Sequence, residues 1–149
     1  MASSGGTLKA MAPVITLRQE HLDAMIAHAL EDAPNECCGM IGARDGAVTA
    51  LHRAENAEAS PYRFSIDFRE QRRIEEAMDE AGDSLAGFYH SHTGSPARPS
   101  PTDIRMMNTF FGPPFVHFVV SIANRERPDV RVFHIEGEAA SEQEYTVEA

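Results

Sequence analysis

Three side chains in one short stretch are of the kind that hold a metal: His90 and His92, flanking Ser91, and Asp103, which follows Ser100 beyond the spacer 93–99. Residues two apart on a strand share a face, so a strand here would present both imidazoles side by side and turn Ser91 away. Ser100-Pro101-Thr102-Asp103 reads as a helix start, with Ser100 at the N-cap, Pro101 at the first helical position and Asp103 one turn in. That turn can return a carboxylate to the two histidines. Two imidazole nitrogens and one carboxylate oxygen are three ligands, which in a tetrahedral zinc site leave one position for water. The pattern therefore predicts a catalytic metal rather than a structural one. Each half alone is more often an ordinary strand or helix start, but the joined spacing should arise by chance in only about one such chain in a thousand.

Zinc lowers the pKa of bound water to about 7, which supplies a nucleophile at neutral pH without a serine or cysteine. A carboxylate must then take a proton and return it to a leaving amine, and a fixed donor must meet the oxyanion. Ser100 can be that donor while capping the helix, because its oxygen accepts from helix amides and its hydrogen stays free. Taken alone, Glu36 is a lone acid opening a strand, and the bland reading of such a residue is a solvated strand end.

These residues resemble the JAMM (MPN+) family of zinc metallopeptidases, whose signature is an upstream Glu followed by His-Ser/Thr-His-x7-Ser-x2-Asp. The upstream part is similar to Glu36-Cys37-Cys38-Gly39-Met40-Ile41-Gly42, and the likeness runs from about Val14 to near the C-terminus. The resemblance implies Zn2+ on His90, His92 and Asp103, Glu36 as general base, Ser100 as oxyanion donor, and hydrolysis of amide or isopeptide bonds. Many members have Pro after the second His, where this chain has Thr93. The motif with its loop is closer to small bacterial members acting on ubiquitin-like sulfur-carrier proteins, which makes such a protein, cut after its C-terminal Gly-Gly tail, the expected partner. The segments 56–61 and 112–114 are short where larger members carry insertions that grip a second ubiquitin. An extended tail is expected to add to a sheet edge beside the metal. One rival is a non-catalytic MPN scaffold or adaptor, but inactive members usually lack one of these five residues. A zinc deaminase is the other, and no Cys-x-x-Cys supports it.

A chain of 149 residues fits one domain, assigned to 13–149 after a disordered tail at 1–12. No apolar run reaches the ~18 residues of a membrane helix and the N-terminus lacks a leader pattern, so a soluble cytoplasmic protein is expected. A net charge of -10 argues against nucleic acid, whose binding needs clustered Lys and Arg. The two cysteines, Cys37 and Cys38, are adjacent; they read as small buried residues on alternate faces of a strand.

The elements follow from periodicity and punctuation. Strand 13–16 leads to a capping box at Thr16 and Gln19, then a helix burying Leu22, Met25, Ile26, Ala29 and Leu30, with His21 and His28 on its surface. Strands 36–43 and 47–54 form a hairpin about Asp45-Gly46. After loop 56–61 come a short strand 62–66 and a capping box at Asp67 and Glu70. The helix it opens runs towards Ala81, with Phe68, Ile74, Ala77, Met78 and Ala81 inward. The motif strand 85–92, a helix from Pro101 to about Phe110 ended by Gly112-Pro113-Pro114, strands 115–122 and 129–135, and a weak edge strand through Tyr145 and Val147 complete the chain. His117 and His134 have structural places. The fold class is mixed α/β: a mostly antiparallel mixed sheet flanked by about three helices, the JAMM/MPN arrangement that the resemblance implies.

Overall fold

The computed structural model describes residues 15–111 and 114–148, so the expected tail at 1–12 and part of the Gly112-Pro113-Pro114 stop lie outside the described residues. In chain order the elements are β1 (Ile15–Arg18), α1 (Gln19–Asp32), β2 (Cys38–Arg44), β3 (Ala47–Ala54), α2 (Phe68–Ala81), β4 (Ser84–His92), α3 (Pro101–Phe111), β5 (Val116–Ser121), β6 (Asp129–Glu136), β7 (Ala139–Gln143) and β8 (Tyr145–Glu148). They form one eight-stranded sheet in the order β7-β6-β5-β4-β2-β3-β1-β8. β4 runs parallel to β5 and β1 parallel to both β3 and β8, while the other pairs are antiparallel.

The sheet curls until its two ends meet. β7 and β8 stand at opposite ends of the strand order, yet only Glu144 separates them in the chain. Tyr145 of β8 donates its hydroxyl to the Val130 carbonyl at 2.9 Å and packs its ring against Phe118. Among the described residues no ladder joins β7 to β8, so the sheet keeps two end strands, but its curl brings them close to one another. The expected addition of a substrate tail to a sheet edge beside the metal cannot use the motif strand itself. β4 is paired on one side with β2 and on the other with β5 as far as His92, so it offers no edge.

The period of two along each strand divides the core into two layers. Leu22, Met25 and Ala29 of α1 pack with Leu17, Cys37, Ile41, Tyr89 and Phe118 on one face. Ile74 and Met78 of α2 and Met107 of α3 pack with Cys38, Met40, Phe88 and Ile135 on the other. The adjacent cysteines therefore do face opposite layers, both buried and free. Burial pushes both thiols up, Cys37 to about 12, which keeps them unreactive. His90 shares the parity of Phe88 and so belongs to the α2–α3 layer, the one from which Asp103 can reach it.

Several local expectations are corrected. Thr16 lies within β1 and α1 begins at Gln19, so the N-cap is Arg18 rather than Thr16. His28 is buried, not superficial: its Nδ1 accepts the Tyr89 hydroxyl at 2.7 Å while Asp32 lies 3.3 Å from Nε2. Residues 62–66 form no strand, Leu30 is exposed, and Phe68 is exposed because it sits at the first turn of α2, ahead of the stripe at Ile74 and Met78. Asp67 does cap α2 by accepting from the Arg69 amide, but Glu70 instead takes the Glu55 amide.

Gly39 faces Tyr89 across the β2–β4 pair, and a Cβ there would overlap the Tyr89 ring, which is fully buried and held at its hydroxyl by His28. Overpacking of such a core position typically costs about 1–3 kcal/mol. Gly39→Ala should lower the midpoint of denaturant unfolding accordingly, and an unchanged midpoint would mean that the ring has room to move.

Candidate metal centre and catalytic site

β4 and the start of α3 bring His90, His92 and Asp103 together as the sequence motif requires. Asp103 Oδ2 is 3.0 Å from Nε2 of His90 and 3.0 Å from Nε2 of His92, and the two nitrogens are 3.3 Å apart. All three residues are buried, and they form the one cluster of metal-ligating side chains among the described residues. With ligand distances of 2.0–2.1 Å, the edge of a tetrahedron about zinc is about 3.3 Å. The triangle is thus the size of one face of such a site, made of the nitrogen and oxygen donors zinc accepts.

The start of α3 explains why Asp103 is there. Ser100 Oγ accepts from the Asp103 amide at 3.0 Å, and Asp103 Oδ2 accepts from the Ser100 amide at 2.9 Å. This reciprocal box has Asp in the place usual for Glu or Gln, and the shorter side chain keeps its carboxylate close to the helix end. The Ser100 hydroxyl oxygen is thereby engaged as an acceptor, while its hydrogen stays available to donate. Burial alone would raise the pKa of Asp103, but the two imidazoles and the Ser100 amide outweigh it and hold the carboxyl well below its ordinary range.

The two histidines differ in their second nitrogen. His92 Nδ1 lies 2.8 Å from the Pro96 carbonyl, which can only accept, so Nδ1 carries a proton and Nε2 is the nitrogen offered to the cluster. Ser121, opposite His92 in the β4–β5 register, donates its hydroxyl to the Ser95 carbonyl at 2.6 Å and so pins the loop that presents Pro96. Burial lowers the pKa of His92, but Asp103 and the Pro96 carbonyl outweigh it, leaving the pKa raised. His90 is wholly buried with its pKa lowered by that burial, and its ring stacks on Phe64 at a centroid distance of 4.4 Å. Its Nδ1 has no hydrogen-bond partner.

Glu36 arrives from the other side of β4. Cys38 pairs with His90, so two residues earlier on the antiparallel register Glu36 falls opposite His92 and on the same face. Ser91, which the alternation turns away from the imidazoles, extends that register: its Oγ accepts the Cys37 amide at 2.7 Å and its amide donates to the Cys37 carbonyl at 3.1 Å. Glu36 is only 3% exposed, and its Oε1 is buried without a partner. A buried unpartnered carboxylate oxygen beside convergent imidazoles is costly, and such groups mark functional sites. Burial pushes the Glu36 carboxyl up to about 8, with Asp103 adding to the rise and His92 opposing it.

All five residues singled out in the sequence thus converge. Phe64, Ser91, Ser121 and Asn56, which bonds to the Glu36 backbone, were not singled out. Only Ser91 carried a signal, since it lies inside the motif. The other three act through partners remote in sequence.

Comparison with known proteins bears on the whole chain. A family profile described as prokaryotic homologs of the JAB domain matches residues 18–136. A CysO-cysteine peptidase of Mycobacterium tuberculosis is 33% identical over 137 residues, spanning 90% of this chain and 91% of that one. A desampylase of Haloferax volcanii is 38% identical over 96 residues, covering 60% of this chain and 69% of the relative. In fold, a JAB1/MPN domain protein of Archaeoglobus fulgidus superposes with a TM-score of 0.59 at 16% identity, covering 90% of this chain and 97% of that chain.

The raised pKa of Glu36 has a consequence for protein freed of metal with a chelator. A carboxyl whose folded pKa exceeds its unfolded value contributes stability that is complete below about 4.5 and is lost as pH rises to about 8. Glu36→Gln removes that loss. The variant's unfolding midpoint relative to the parent should therefore climb between these pH values and level off above them. A difference independent of pH would place the carboxyl in water.

Proposed function

The chain belongs to the JAB-domain (JAMM/MPN+) family of metallopeptidases, and on that premise we propose that it is a cytoplasmic zinc peptidase. Its substrate would be a small ubiquitin-like sulfur-carrier protein, hydrolysed at the amide or isopeptide bond after a C-terminal Gly-Gly tail. The observation that carries the reading is the buried, unpartnered Glu36 Oε1 on the same face as a zinc-sized His90–His92–Asp103 triangle. The name of the Mycobacterium relative, a CysO-cysteine peptidase, supports a substrate made of a protein and a cysteine, while that of the desampylase supports a wider class of conjugates.

The ion would be held by His90 Nε2, His92 Nε2 and Asp103 Oδ2, and when bound it would polarise a carbonyl and acidify water to a pKa of about 7. Glu36 Oε1 takes the proton of the attacking water and delivers it to the departing amine nitrogen as the carbon–nitrogen bond breaks, so one water is consumed and the carboxylate is regenerated. A base confined in a site that excludes bulk water keeps that proton for the leaving group. Ser100 donates its hydroxyl hydrogen to the oxygen on which negative charge develops, and loss of such a donor typically costs about 3 kcal/mol of barrier. Asp103, held by the Ser100 amide, fixes the helix end and with it the position of that hydroxyl. A scaffold role is the weaker reading, because a module that only binds partners has no use for this set of inward-facing residues.

Purified protein should carry about one zinc per chain by elemental analysis, and His92→Ala or Asp103→Ala should lose most of it. Full occupancy in both variants would show the ligands to be misassigned. Glu36→Gln should keep its zinc while turnover falls at least ~100-fold, the typical cost of a lost general base; near-normal turnover would require another base.

Substrate choice is tested with a carrier ending in Gly-Gly-Cys, its Ala-Ala-Cys counterpart and unstructured casein, followed by mass spectrometry. The glycine-ended carrier should be cleaved in strong preference. Equal cleavage of casein, or indifference to the alanines, would leave only a general peptidase.

A further inference from the structure

The loop between β3 and α2 is organised by one side chain that the chemistry above does not use. Asn56 is buried, and its amide spends every bonding position on backbone groups. Nδ2 donates to the Glu36 carbonyl at 3.0 Å and to the Arg63 carbonyl at 3.0 Å, with the Ser60 carbonyl further off at 3.5 Å. Oδ1 accepts from the Glu58 amide at 3.0 Å and the Ser65 amide at 3.3 Å. The orientation of the amide is fixed by its partners, since carbonyls can only accept and backbone amides can only donate.

These bonds join the two sides of the site. Glu36 lies outside the strand ladder, and its backbone is held from the loop: its amide donates to the Ser60 carbonyl at 2.9 Å, and its carbonyl receives Asn56. The same Asn56 amide grips Arg63 and Ser65 on either side of Phe64, whose ring stacks on His90. The Glu36 backbone and the segment that carries Phe64 are thus tied together through a single side chain. Ser91 fixes the neighbouring Cys37, but Glu36 itself has only the loop to define its position.

We propose that Asn56 is a positioning residue for hydrolysis, which holds the Glu36 backbone so that its carboxylate stays on the face of His90 and His92. The inference rests on Glu36 being the general base. Asparagine suits the task because it alone combines two donors and an acceptor on a stem this short. Aspartate has the same shape and keeps the acceptor, but it offers no hydrogen to the Glu36 and Arg63 carbonyls. Displacement of a reacting group by about 1 Å can cost about 100-fold in rate, so the expected damage falls on turnover rather than on binding.

The test is Asn56→Asp in the full chain, with Asn56→Ser as a second variant should the first fail to fold. Hydrogen exchange on metal-free protein should show the Glu36 amide exchanging at least about tenfold faster, while Met40 and Phe88 in the β2–β4 ladder keep their protection. On the Gly-Gly-Cys carrier, kcat should fall about 10–100-fold with KM within about twofold and zinc content unchanged. In a Glu36→Gln background the same substitution should cost almost nothing further, because a residue acting through Glu36 has nothing left to position. Unchanged protection of Glu36, loss of zinc, or an equal penalty with and without Glu36 would each overturn the proposal. If the parent cleaves no carrier at all, the functional reading falls, while the exchange measurement still decides whether Asn56 holds Glu36.

Discussion

One carboxylate oxygen sets the terms for the active end of the molecule. Asp103 Oδ2 gathers His90, His92 and the Ser100 amide, each within 3.0 Å, in a place closed to bulk water. A buried charge is tolerable only when its neighbours answer it, and here the answer comes from two strand residues and a helix end. The helix must start where it does, Pro101 must need no amide partner, and the loop 93–99 must close the distance. The pKa directions agree: Asp103 is kept ionised, and His92 is held towards its charged form by the same carboxylate and by Pro96.

The other side of the site is built by different means. His90 and His92 inherit their positions from a strand in the middle of the sheet, paired on both sides. Glu36 lies just ahead of β2, where the ladder has stopped and a loop must replace it. Rigid elements make better platforms than loops, and a loop carrying a base needs its own internal bonds. Asn56 supplies those bonds on the Glu36 side, much as Ser121 and Pro96 supply them for the loop beyond His92. Each loop of the site is tied down by a polar side chain that itself does no chemistry.

What the sequence revealed and what it hid divide along the same line. The motif was readable because its parts are local: strand alternation placed His90 with His92, and proline after serine placed the start of α3. The hairpin at Asp45-Gly46, the extent of α2 and the opposite faces of Cys37 and Cys38 were readable for the same reason. The burial of His28 was not, because its partner Tyr89 lies 61 residues away and a histidine on an amphipathic helix gives no sign of which side it joins. Residues 62–66 alternate like a strand, yet their backbone is claimed by Asn56 and by a bond between Ala57 and Ser65, so no ladder forms. The edge strand through Tyr145 and Val147 was legible, but β7 and the approach of the two sheet ends were not, since short polar strands carry little periodic signal.

The pairing of the motif strand bears on where recognition can occur. With β4 flanked on both sides, an extended chain has no open edge on that strand to lengthen. The loop 56–66 meets the cluster at His90, through Phe64, and the loop 93–99 meets it at His92, through Pro96. Both are held by side-chain bonds to backbone. The glycines of the proposed tail would suit such a site, because backbone without side chains needs the least space. Glu36 and His92 are each held through the backbone of a neighbouring loop, so little reorganisation is left for the moment of reaction.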